Sequence, residues 1–206
     1  MKVFLSPSDQ VSNTTASGHS ERDHCVKIAD YAKDYLELNG YTVKIGTEWN
    51  RAIESNNWGA DLHVPIHTNA GGGTGTLMLC HSVSVNNKYV KAIYEEVAAL
   101  TPTDDRGIQA RDTLYEIRDT NCVCAYLEAE FHDNATTEKW IDDNMENIGK
   151  AIARGICKAD DKEFKESESS DTLYKVQAGA FKDEENAKKQ VEALQKAGFD
   201  AFYYEA

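Results

Sequence analysis

From Val3 to Cys157 the chain alternates short apolar runs of strand length with longer stretches whose apolar residues recur at helical spacing. That alternation leaves few architectures open. Residues 3–6 form a buried-strand pattern closed by Pro7, and residues 8–20 are polar. Ser20 is a good N-cap and acids crowd the turn after it, so a helix is predicted to start near Glu21. Cys25, Ile28, Ala29, Ala32, Tyr35 and Leu36 give that helix one apolar stripe, and Asn39-Gly40 ends it. Residues 41–45 read as the next strand. A short helix at 51–58, strands at 62–67 and 75–81, a helix through Val90, Ile93, Val97 and Leu100, and a strand at 122–128 follow. A last long helix is predicted from about Thr137 to Cys157, with Ile141, Ile148, Ile152 and Ile156 on one side. The predicted fold class is α/β, a mostly parallel twisted sheet with helices on both faces.

The formal net charge of −13 excludes a partner held by phosphate neutralisation. No basic stripe offers the footprint of a nucleic-acid or anionic-membrane binder, and no apolar run is long enough to insert into a membrane. The opening residues, 1–7, carry one positive charge and too short an apolar stretch for a secretory signal. The five cysteines are odd in number and sit in apolar segments, which predicts free thiols rather than a disulfide framework. Together these predict a protein made in the cytoplasm that reaches its site of action by another route.

Residues 159–172 are charged, Ser-rich and nearly free of apolar residues, and read as a linker. Beyond them a strand is predicted at 174–180, an amphipathic helix at 186–197 ended by Gly198, and a strand at 199–204. This is one β-α-β unit, with a strand edge and an apolar face left uncovered. The half-module is therefore predicted either to pair with its copy in a second chain, as a homodimer, or to be poorly ordered alone.

In open α/β sheets ligands bind beyond the carboxyl ends of the strands. Asp9 follows the first predicted strand, His67 ends the third, Glu128 ends the last, and Glu21 opens the first helix. Nitrogen and oxygen ligands with a spare carboxylate at one end of a sheet suit a catalytic zinc site with a position open to water.

The words around these residues carry a resemblance. GADLHVPIHTNA (59–70), DRGIQARDTLYEIRD (105–119) and AYLEAEFHDN (125–134) resemble, in order along residues 1–158, segments of the zinc-dependent N-acetylmuramoyl-L-alanine amidases. The resemblance implies one zinc ion, with Glu21 and His67 as ligands, and Glu128 as the catalytic carboxylate. It implies hydrolysis of the amide between N-acetylmuramic acid and L-alanine in peptidoglycan. Where the family places a Gly-His pair after the first strand, this chain reads Pro7-Ser8-Asp9-Gln10. The third ligand is therefore open between His24, one turn past Glu21, and Asp9. His24 is preferred, because imidazole suits zinc better. His63 is disfavoured, because four residues of extended strand separate it from His67 by ~13 Å. The missing Gly-His also motivates a second reading, a catalytically inactive peptidoglycan-binding protein, and a third is a zinc peptidase acting on stem peptides. The words VQAGAF (176–181), Asn186-Ala187 and Ala197-Gly198-Phe199 make residues 173–206 resemble part of the SPOR domain, a peptidoglycan-binding module.

Overall fold

The computed structural model of the chain describes residues 1–167, 178–199 and 201–203. The chain divides into two compact units, Met1–Glu168 and Ser169–Ala206.

The first unit is built on β1 (Lys2–Pro7), β2 (Thr42–Ile45), β3 (Leu62–Asn69), β4 (Leu77–Cys80), β5 (Ile108–Ala110), β6 (Val123–Cys124) and β7 (Tyr126–Phe131). Its helices are α1 (Glu21–Leu38), α2 (Arg51–Trp58), α3 (Lys88–Ala98), α4 (Tyr115–Asp119) and α5 (Ala135–Ala159). The strand order is β2-β1-β3-β7-β4-β5, with the short β6 also paired to β3. All pairings are parallel except β4 with β7. The antiparallel strand has a local cause. After β3 the chain reverses through a glycine-rich loop, in which Gly71 and Gly72 adopt φ of 115° and 69° and donate their N–H groups to the Asp133 carboxylate. Neither β5 nor α4 was anticipated as an element, and the direction of β4 was not legible from its apolar pattern.

Alternation along the central strands sorts the two faces. Leu62, Val64 and Ile66 of β3, with Leu127 and Ala129 of β7, join the core formed with α1, α3 and α5. On the other face Leu77, Leu79, Cys124 and Tyr126 pack with Ile117 of α4. Helices therefore lie on both faces, as predicted. All five cysteines are free. Residues 160–167, the first part of the predicted linker, fold back on this unit: the Phe164 ring lies 6.0 Å from Tyr35, and Asn39 exchanges hydrogen bonds of 2.8 and 2.9 Å with the Lys165 backbone.

In the second unit α6 spans Glu184–Lys196, and the Asp183 side chain caps it by accepting from the Glu185 N–H at 2.9 Å. The predicted strands at 174–180 and 199–204 lie partly outside the described residues. Among the described residues α6 has no buried side chain, and Phe199 is 64% exposed.

The packing of α5 on α1 fixes the start of α1, which matters for the site below. Gly149 makes it possible: a Cβ there would sit 2.8 Å from the Ala32 nitrogen and 2.9 Å from the Ile28 oxygen. Because those neighbours are backbone, they cannot swing aside. Gly149→Ala should lower stability by about 1–2 kcal/mol in urea denaturation, although alanine favours a helix by about 1 kcal/mol. An unchanged midpoint would show that the helices have room to part.

Candidate active site

Three of the four expected groups meet at the carboxyl end of the sheet. His67 and Glu128 stand opposite each other in register on β3 and β7, both on the face that carries Tyr126. Glu21 enters from the first turn of α1, and its Oε1 lies 2.8 Å from His67 Nδ1. The carboxylate is held from several sides: Asn13 donates to Oε2 at 2.8 Å, the Thr68 N–H approaches Oε1 at 3.4 Å, and the Ser8 hydroxyl contributes. The His67 ring stacks on Tyr126 with centroids 4.6 Å apart. Ser20 and Asp23 secure the turn that carries Glu21, the Ser20 N–H donating to Asp23 Oδ2 at 3.1 Å.

The charges in this site pull apart. Burial raises the Glu21 carboxyl, but the hydrogen bond and charge of His67, with Asn13 and Ser8, outweigh it and hold the group below its ordinary value. Burial likewise opposes the charged form of His67, yet Glu21 and Glu128 together lift the imidazole above its usual value. Glu128 receives no such help. Burial, only partly offset by His67 and reinforced by the charge of Glu21, pushes it up to about 7. Its Oε2 is buried and has no hydrogen-bond partner. One ion-paired carboxylate and one proton-exchanging carboxylate thus flank a single imidazole.

His24 does not join them. Its Nε2 lies 2.9 Å from Asp142 Oδ1 on α5. The cause is helical geometry: Glu21 stands at the first helical position and reaches back over the strand ends, whereas His24, one turn on, lies on the flank covered by α5. Asp9 lies in the exposed loop after β1. His63 is fully buried further down the strand, where its Nε2 meets Glu116 Oε2 at 2.7 Å and its ring stacks on Phe4. Asn13, Ser8, Glu116 and Tyr126 were not anticipated. Only Tyr126 left a trace in the sequence, two residues before Glu128 and so on the same face of a strand.

The pattern of one known family covers most of this unit, matching residues 8–158: the N-acetylmuramoyl-L-alanine amidases. The chain belongs to that family. The SPOR domain pattern matches residues 156–205, so this amidase carries a SPOR domain after its catalytic unit. The amidase CwlM of Bacillus licheniformis is 29% identical over 98% of this chain and 83% of its own length. The sporulation-specific N-acetylmuramoyl-L-alanine amidase of Bacillus subtilis is 26% identical, with the same coverage of 98% and 83%. The solved catalytic domain of CwlV from Bacillus (Paenibacillus) polymyxa matches with a TM-score of 0.71 at 22% identity, over 79% of this chain and 100% of that one. The catalytic domain of the CD27L endolysin matches with a TM-score of 0.63 at 21% identity, over 80% and 99%. These two likenesses show that the fold is shared.

The raised Glu128 has a measurable consequence in metal-free protein. Its folded value of about 7 lies above the ordinary 4.5, so the folded amidase binds a proton that the unfolded chain releases. This group's contribution is fully present below pH 4.5 and is lost as pH rises through 7. The loss amounts to about 3 kcal/mol, since each tenfold change in proton affinity is worth about 1.4 kcal/mol. Glu128→Gln cannot ionise, so its stability relative to the parent should grow across that window and level off above it. Urea denaturation in chelator across the pH range reads this directly, and a flat difference would mean that Glu128 ionises normally.

Proposed function

We propose that this amidase hydrolyses the bond between the lactyl group of N-acetylmuramic acid and L-alanine with the help of one zinc ion held by Glu21 and His67. The observation that carries the reading is the buried, unpartnered Oε2 of Glu128, facing the paired Glu21 and His67 at the mouth of the sheet. A nitrogen and an oxygen ligand already brought together, beside a carboxylate that nothing else engages, fit the donor chemistry of zinc. When bound, the ion polarises the scissile carbonyl and a water molecule.

The chain's own groups do the rest. Glu128, poised near neutrality, takes a proton from the attacking water on its free oxygen and returns it to the leaving nitrogen as the C–N bond breaks. The products are a lactyl carboxylate and a free L-alanine amine. Tyr126 fixes the plane of the His67 ring, and Asn13 and Ser8 hold the Glu21 carboxylate in place. No helix among the described residues is long and apolar enough to cross a membrane. The SPOR domain fits a role in holding the enzyme on glycan strands, and exposed Phe181 and Phe199 suit either that contact or pairing with a second copy.

One observation favours a different reading. With His24 turned to α5, two protein ligands remain where a catalytic zinc usually has three, and such a cleft could bind muropeptides without cutting them. Purified peptidoglycan separates the readings. The parent protein with zinc should release new L-alanine amino termini, and chelation should stop the release until zinc is restored. Glu128→Gln should slow it by about 10²–10⁴-fold with an unchanged near-ultraviolet circular dichroism spectrum. Zinc-loaded parent that releases nothing would leave only binding, and release of a terminal amino acid instead would make it a peptidase.

A further inference from the structure

A second cluster of ligating side chains lies outside the hydrolytic site. His24 of α1 with Glu138 and Asp142 of α5 present three ligand atoms that all lie within 4.8 Å of one another. Glu138 and Asp142 are four residues apart on one helix, so two like charges share a face and repel. Water reaches Asp142, whose side chain is 46% exposed, but not Glu138, which is only 3% exposed, so this pair is screened from one side only. His24 closes the third side through Nε2, and its other ring nitrogen, Nδ1, is buried without a hydrogen-bond partner. The Ser17 N–H, at 2.9 Å, and the Ser17 hydroxyl both donate to Glu138 and fix its carboxylate, whose four lone-pair sites leave room for an ion beside them. Two open clefts, of about 410 and 440 Å³, meet at Asp142 and give solvent a path to the cluster.

We propose that His24, Glu138 and Asp142 form a second divalent-cation site, separate from Glu21 and His67. One imidazole and two carboxylates, with water completing the shell, select a borderline ion of the zinc class over calcium or magnesium. The ion relieves the repulsion along α5 and ties together α1, α5 and the loop at Ser17. It thereby clamps the helix end that carries Glu21, one turn away. This role is structural and does not rest on the hydrolytic reading.

The full-length protein, stripped with chelator and titrated with zinc alone, tests it by native mass spectrometry. The parent should take up two zinc ions, Asp142→Ala one, His67→Ala one, and the double variant none. Asp142 is half exposed on a helix, so alanine there preserves the fold. Zinc should also raise the melting temperature of His67→Ala but not that of the double variant. A parent that binds one ion while His67→Ala keeps it would support this site and remove zinc from the hydrolytic one. Loss of all zinc in folded His67→Ala, or equal uptake by Asp142→Ala and the parent, would overturn the proposal.

Discussion

The contact between Glu21 and His67 joins two parts of the chain that the sheet alone would leave apart. His67 belongs to a central strand, fixed by its neighbours β1 and β7, while Glu21 belongs to a helix that packs on the opposite face from the imidazole. The pair therefore exists only if α1 begins at the right residue and at the right height. The Ser20–Asp23 cap sets the first, and the close approach of α5 at Gly149 sets the second. A buried acid and a buried imidazole also stabilise each other's charged forms, which removing either would leave uncompensated.

That mutual satisfaction isolates Glu128. Two carboxylates compete for one imidazole, and Glu21 wins because Asn13, Ser8 and the Thr68 N–H also serve it. Glu128, two residues past Tyr126 on the same face of β7, has a buried Oε2 with no donor of its own. Burial then decides its protonation, which sets it apart from Glu21, a residue of the same type.

Much of this was legible in the sequence. The period-two pattern of β3 and β7 puts His67 and Glu128 at strand ends, and the cap at Ser20 places Glu21 at a helix start. Topology then brings the three together, since carboxyl ends of parallel strands share one edge of the sheet. What failed to show is what depends on direction and depth. A helix places residues three apart near one face, but it does not say whether that face meets the strand ends or a neighbouring helix, and His24 went to the neighbour. The five residues of α4 are too few for a periodic signal, so Glu116 and its contact with His63 were invisible. The charged composition after Ala159 suggested a free tether, yet Phe164 and Lys165 find partners on Tyr35 and Asn39.

The stacking of Tyr126 against His67 bears on how much binding free energy the site retains. An imidazole at the end of a strand would ordinarily rotate about its second side-chain torsion, and any guest would have to halt that motion. Here a buried aromatic plane has already halted it during folding, when cooperative packing of the whole core absorbs the lost entropy. Any group that binds there would meet a ring with one orientation, and more of its contact energy would survive as affinity.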